Sequence, residues 1–313
     1  MNASSNKNRR RVDRRPPPPG RMVEVKGIKI HVEQRGQGPD MLLLHGYLAS
    51  TFLWHSVFDG LAHLGRTTAL DFPGCGYSDR PAEAPYTLSW LADMAERTAD
   101  TLALDRPVLL AHSLGGAVAL HAAARWPEKW RGLVLISPLV FQPPPPPGLR
   151  LAKKHPRAMR LFFESGPGRL LVSRLLRRAV YAVDGVQARA SARHLLNTLD
   201  APGGWEAATR IGLQAHDESP GQEILSRVTL PCLVIWGERD RSHPPELGEK
   251  LIRSLGGPSH LAILPRLGHN CHEEDPQAFL RLVKEFWNEF TASDNPDTCR
   301  KTLWGGRSTR QTY

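Results

Sequence analysis

Ser113 stands at the junction of two unlike stretches. Before it runs Val108-Leu109-Leu110-Ala111-His112, apolar enough for a buried strand, and after it comes Leu114-Gly115-Gly116-Ala117, small enough for a helix pressed close to its neighbours. A serine in that place can cap the helix by accepting from a first-turn amide. It can also form a nucleophile elbow, in which a strained strand-to-helix turn presents the hydroxyl above a sheet. The pattern here is Ala111-x-Ser113-x-Gly115, with alanine where the elbow usually has its first glycine. That position must be small because strand and helix nearly touch there, and alanine qualifies. The five residues alone leave both readings open.

Two later segments supply the partners that a serine nucleophile needs. Gly237-Glu238-Arg239-Asp240 and Gly268-His269 each follow an apolar run, so a nucleophile, an acid and a base occur in that chain order, each just past a strand. This arrangement suits a Ser…Asp…His constellation on an open sheet. His45-Gly46-Tyr47-Leu48 follows another apolar run, where a backbone amide would help to hold a developing oxyanion. His272 lies three residues beyond His269 and competes for the role of base. The preceding glycine and the place directly after the strand favour His269 over His272. Asp71 precedes the serine and sits in the turn-rich loop "DFPGCGYSDRP", so it is expected to anchor that loop. His112 is expected to point away from the reaction centre and to pack. Neither Cys75 nor Cys271 occupies the elbow, so neither is read as a nucleophile.

The elements that must position these residues are legible as alternation. "MVEVKGIKIHVEQRG" reads as two strands meeting at Gly27, and "MLLLHG", "TTALDFPG", "PVLLAHS", "GLVLISP", "CLVIWGERD" and "LAILPRLGH" follow as short apolar strands. Helical patterns such as "LSWLADMAERTADTLAL" fill the intervals. Strands of this kind alternating with helices predict an α/β fold, a mostly parallel open sheet with helices on both faces. Between Pro138 and about Thr229 no strand pattern occurs, and a proline run from Pro143 to Pro147 leads into Leu/Arg-rich helical stretches. We read this interval as a helical cap inserted after the sixth strand. The expected boundaries are a basic, proline-rich tail over 1–21, a core over 22–138 and 229–290, a cap over 139–228 and a flexible tail over 291–313. Both proline runs are read as stiff spacers.

The 313 residues, with 41% hydrophobic content and eight tryptophans, suffice for a sizeable core. The net charge of +10 is unevenly placed: residues 1–22 carry +6, residues 149–180 carry +8 and residues 291–313 carry +2, which leaves the remaining body acidic. Basic charge is therefore an appendage, and no zinc-finger, helix-turn-helix or RNA-binding signature accompanies it. Contact of the basic segments with an anionic membrane surface is a candidate use. Neither a membrane-spanning run nor a secretory leader is read. The four scattered cysteines suit a reducing compartment, and cytoplasm is the expectation. No metal-ligand spacing occurs, and neither a metal nor a cofactor is expected.

In order and spacing, these segments resemble the α/β-hydrolase superfamily over about residues 22–290, specifically its branch with a cap after the sixth strand. The motifs are HGY-L, D-x-P-G-x-G-x-S-D-x-P, x-H-S-L-G-G, G-x-x-D and G-H-x-x-x-x-E-x-P. The resemblance implies that Ser113 attacks a carbonyl, that His269 relays its proton and that Asp240 orients the imidazole. The amides of Tyr47 and Leu114 would form the oxyanion hole, supported by His45, Gly46 and Gly115. A serine at the elbow implies acyl transfer, with hydrolysis of a carboxylic ester of an apolar or aromatic small molecule as the leading reading. Carbon–carbon bond hydrolysis or perhydrolase-like chemistry on the same residues is the alternative, and a non-catalytic binding module is a third.

Overall fold

The computed structural model describes residues 19–142, 151, 154–155, 158, 161–162, 165–182, 185–291 and 309–312. The proline run Pro143–Pro147 and most of the basic N-terminal tail lie outside them.

A nine-stranded sheet in the order β1-β2-β4-β3-β5-β6-β7-β8-β9 forms the body. Strands β1 (Arg21–Val25) and β2 (Ile28–Arg35) make a hairpin whose two-residue turn, Lys26-Gly27, has φ of 50° and 75°. Positive φ at both turn residues matches the right-handed twist of the flanking strands, and glycine tolerates it. Strand β2 also runs antiparallel to β4 (Arg66–Leu70), whereas β3 (Asp40–Leu44), β5 (Val108–His112), β6 (Leu133–Ile136), β7 (Cys232–Gly237) and β8 (Ser259–Leu264) are parallel to their neighbours.

The central strands are buried on both faces, so their side chains divide between two cores. Leu42, Leu44, Leu109 and Ala111 join the cluster on the face of helices α2 (Leu88–Thr101) and α3 (Leu114–Arg125). Met41, Leu43, Val108 and Leu110 join the opposite cluster, with residues of α1 (Phe58–Ala62). Period-2 alternation sends neighbours to opposite faces, and helices on both faces explain why these strands are apolar throughout.

Between β6 and β7 the described helices are α4 (Gly166–Val180), α5 (Val186–Asp200), α6 (Gly204–Asp217) and α7 (Gln222–Ser226). They form a helical insertion over the ends of the strands. After β7 come α8 (Glu246–Ser254), then α9 (Cys271–Glu274) and α10 (Pro276–Thr291) following β8. The expectation of a flexible tail over 291–313 does not hold at Thr309–Thr312, which pair with β8 in parallel as β9. Without it, β8 would present an unpaired row of backbone groups, and a short threonine-rich strand satisfies that edge.

Candidate active site

Strand β5 ends at His112, and the chain reverses through Ser113 at φ 52° and ψ −114° before α3 begins. A non-glycine residue at positive φ is strained and requires surroundings that hold it. The turn is held by the Ser113 N–H donating to Ile136 O at 3.0 Å and by Ser113 O accepting from Leu139 N at 2.8 Å. The Ser113 side chain makes no capping bond to α3, so the N-cap reading does not describe it. Small residues allow the corner. A Cβ on Gly115 would stand 2.3 Å from Leu44 O, and one on Gly46 would stand 2.7 Å from His112 Nδ1 and 3.3 Å from Ser113 Cβ.

The loops after β7 and β8 bring Asp240 and His269 together. His269 Nδ1 lies 2.7 Å from Asp240 Oδ2, and both side chains are buried. The other carboxylate oxygen accepts from the amides of Ser242 at 2.8 Å and His243 at 2.9 Å. Burial opposes the charge on Asp240, but the charge and hydrogen bond of His269 and the His243 amide outweigh it and lower its pKa. With an acceptor-only carboxylate at Nδ1, the neutral imidazole carries its proton there and turns the Nε2 lone pair outward.

Ser113 and His269 line one cavity of about 250 Å³, together with Gly46, Tyr47, Leu139 and Leu195. Arg177 of α4 and His194 of α5 also face it, so the insertion roofs the site. His194 Nε2 is 2.8 Å from Ser50 Oγ and its ring stacks on Phe52, which joins roof to floor. Ser113 is only 6% exposed. A larger cleft of about 580 Å³, bordered by Arg266, Glu273 and Arg281, contains neither Ser113 nor His269.

The loops that flank the serine are locked to each other. His45 accepts from the Phe72 N–H at Nε2 (3.0 Å), so its Nδ1–H donates to Gly46 O (2.8 Å). Asp71 accepts from Thr51 N at 2.6 Å, Tyr77 N at 2.8 Å and His31 Nδ1 at 2.8 Å, the loop anchor expected of it. Among the described residues, neither the Tyr47 N–H nor the Leu114 N–H has a hydrogen-bond acceptor. The first amides of a helix are left free by the helical pattern itself.

His112 corrects the sequence reading. It packs, but against His269 rather than away from it: the rings are 4.7 Å apart and His112 Nε2 lies 3.2 Å from His269 O. Alternation along β5 explains this, since Ala111 enters the α3-side cluster and His112 must enter the opposite one, where the chain after β8 passes. Burial, then the charges of neighbouring His269 and His272, lower the His112 pKa. His272, the competitor for the base, sits behind it among Trp54, His112 and Phe279, and its pKa is held down to about 3, chiefly by burial. Cys75 is buried and its thiol is pushed up to about 12, which leaves it unreactive. Cys271 is also buried and shifted upward.

Sequence reasoning passed over two groups. His243 lines the cavity beside His269, with the two Nδ1 atoms 3.5 Å apart, and burial brings its pKa down to about 4. The second group joins residues distant in sequence: Glu273 accepts from Tyr181, from Asn270 Nδ2 at 2.6 Å and from Ser191 Oγ at 2.8 Å. In the sequence, only the motif G-H-x-x-x-x-E-x-P, whose last residues are Glu274 and Pro276, covers this segment.

Residues 41–282 match the alpha/beta hydrolase family. The chain is 30% identical over 264 residues to the pimeloyl-[acyl-carrier protein] methyl ester esterase of Aeromonas hydrophila, covering 83% of this chain and 99% of that one. It is 27% identical over 286 residues to the 2-hydroxy-6-oxo-6-phenylhexa-2,4-dienoate hydrolase of Burkholderia cepacia, with 84% and 94% covered. Among solved structures, a thermophilic esterase from Thermogutta terrifontis superposes with a TM-score of 0.74 at 22% identity, covering 87% of this chain and 99% of that one, which supports the fold. The chain belongs to the alpha/beta hydrolase family.

Proposed function

We propose that the protein is a serine hydrolase that cleaves carboxylic esters through an acyl-enzyme, with Ser113 as nucleophile, His269 as base and Asp240 as the residue that orients it. The observation that carries this reading is the combination at one cavity of an uncapped serine on a strained turn with a histidine whose Nδ1 is bonded to a buried carboxylate. His269 Nε2 takes the Ser113 proton as Oγ attacks the carbonyl carbon, then returns it to the leaving alkoxide. Water repeats the sequence on the acyl-enzyme and releases the acid. The free amides of Leu114 and Tyr47 form the oxyanion hole, and the start of α3 adds its positive end.

The relatives support an ester of a small molecule, and the apolar lining by Leu53, Leu139, Val180 and Leu195 suits an acyl chain or an aromatic group. A vinylogous diketone is the second candidate substrate, favoured by the Burkholderia relative. The buried free thiols of Cys75, Cys232 and Cys271 support a reducing compartment, the cytoplasm, as the place of action. Helix α4 also exposes Leu170, Leu171 and Leu175 beside Arg174 and Arg178 on one stripe, which supports peripheral contact with an anionic membrane.

The test is fluorophosphonate labelling with mass mapping, alongside turnover of a p-nitrophenyl ester series and a ring-cleavage diketone. Labelling at Ser113 with ester turnover is expected. Ester turnover that survives in Ser113→Ala overturns the mechanism, and faster cleavage of the diketone replaces the ester with the second substrate. Salt-sensitive co-sedimentation with anionic vesicles, absent with neutral ones, is expected for the membrane contact.

A further inference from the structure

We propose that Asp240, His243 and His269 form a reversible binding site for a divalent transition ion of the zinc class, and that the bound ion switches the hydrolase off. One ligand atom from each residue lies within 4.8 Å of the others. Two imidazoles and a carboxylate are a donor set that zinc and its neighbours prefer, whereas magnesium and calcium take oxygen.

The His243–His269 separation fits tetrahedral coordination, and the Asp240–His243 separation, within 4.8 Å, closes on binding. With metal–ligand bonds of about 2.0–2.1 Å, adjacent tetrahedral ligands stand about 3.3–3.4 Å apart. His243 Nδ1 and His269 Nδ1 are already 3.5 Å apart. A hydrogen bond does not explain that approach, because the Nδ1 proton of His269 is spent on Asp240 at 2.7 Å. The Asp240–His269 pair needs to open by roughly 0.6 Å to reach the tetrahedral spacing.

The surroundings hold the ligands in place. His243 O accepts from Trp236 Nε1 at 2.9 Å, His112 Nε2 lies 3.2 Å from His269 O, and the Asp240 oxygen that does not face His269 is fixed by two amides. His243 and His269 both line the substrate cavity, which gives the ion an entry path.

Binding exchanges one bond set for another. His269 Nδ1 releases its proton to solvent and gives that lone pair to the ion, Asp240 gives up the N–H···O bond for an oxygen–metal bond, and His243 contributes its Nδ1 lone pair. One proton leaves per ion bound. The ion then occupies the space between base and acid, and its charge opposes uptake of a proton at Nε2. The loss of turnover rests on His269 being the base, as proposed above, but ion binding does not.

The experiment has a binding arm and an activity arm. Co²⁺ added to the full chain should give one equivalent of a visible absorption band with tetrahedral intensity, displaced by Zn²⁺, in wild type and equally in Ser113→Ala. Proton release should match it. Zn²⁺ should abolish p-nitrophenyl ester turnover, EDTA should restore it, and Mg²⁺ should do neither. Measured against its own metal-free rate, His243→Gln should require on the order of 100-fold more Zn²⁺ for half inhibition and show a correspondingly weaker Co²⁺ band, with His243→Asn as a second replacement if the first does not fold. No Co²⁺ band, equal Zn²⁺ sensitivity in the His243 variants, or inhibition by Mg²⁺ would each overturn the proposal. If the protein turns over no ester, the Co²⁺ and proton arms still decide the site.

Discussion

The Tyr181 phenol, just past α4, donates to the Glu273 carboxylate on α9, and the helical insertion is thereby tied to the turn that follows His269. The Ala182 N–H donates to Glu274 at 3.0 Å, and Asn270 N donates to Val180 O at 3.0 Å, so the tie runs along both chains. The insertion and the segment after His269 are coupled through backbone as well as side chains.

Tyr181→Phe should therefore loosen the roof without touching the reacting atoms. Loss of one buried bond to a carboxylate costs about 1–3 kcal/mol. Hydrogen exchange should quicken in α5 and around Asn270 while β3, β5 and β6 keep their protection. Unchanged exchange in α5 would show that the remaining bonds to Glu273 suffice to hold it.

Asp240→Asn tests the orientation of the base. An asparagine can present an N–H to Nδ1, which favours the tautomer whose Nε2 carries the proton and cannot accept one from Ser113. Turnover should fall by about 10⁴, the loss seen for the equivalent change in a chymotrypsin-fold enzyme. A nearly silent substitution would mean that another group orients His269.

Ser113→Gly and Ser113→Ala should both be inactive but should differ in stability. The turn at φ 52° costs a non-glycine residue about 1–3 kcal/mol, and glycine forfeits about 0.5–1 kcal/mol through its freedom in the unfolded chain. Glycine should come out ahead by about 1 kcal/mol, or roughly 2 °C in the thermal midpoint. A midpoint no higher than that of alanine would mean that the corner carries little strain.

The ion pair behind the loop of Asp71 should give stability a pH dependence in two windows. Both ring nitrogens of His31 face acceptors, Asp71 at 2.8 Å and Pro19 O at 2.6 Å, so the ring carries two protons. Burial opposes that charge, but the Asp71 bond and charge together with the Pro19 carbonyl outweigh it and raise the His31 pKa above 6.5. Its contribution is then complete below 6.5 and is lost as pH rises through the folded value. Asp71 is shifted the other way, so its contribution is complete above the ordinary aspartate value of 3.8 and is lost as pH falls below it. The gap in thermal midpoint between wild type and His31→Gln should shrink as pH is raised from 6.5, and a constant gap would remove the charged pair.

What the sequence disclosed, and what it did not, follows from the range of each signal. The turn at Ser113 was legible because a strand, a serine and a small-residue stretch follow one another within ten residues, and the loops of Asp240 and His269 because each lies within five residues of an apolar run. The direction of His112 was hidden, because a strand buried on both faces has no polar side to mark in from out. His243 was hidden because its approach to His269 depends on the turn after Asp240, which no local pattern encodes. The bond of Tyr181 to Glu273 joins positions 92 residues apart, and β9 is a polar four-residue segment with no periodicity of its own.

The order of strands has a consequence for how the protein acquires its activity. The floor of the cavity comes from the ends of β3, β5, β7 and β8, and the chain joining His45 to His269 passes through the whole helical insertion. Parallel neighbours in this sheet meet only after long loops have closed, and such contacts form late and slowly. Helix content should return early in refolding, while ester cleavage returns with the slowest phase. Recovered catalysis is thus a clock for completion of the entire sheet, and a folding intermediate with near-native helicity should be enzymatically silent.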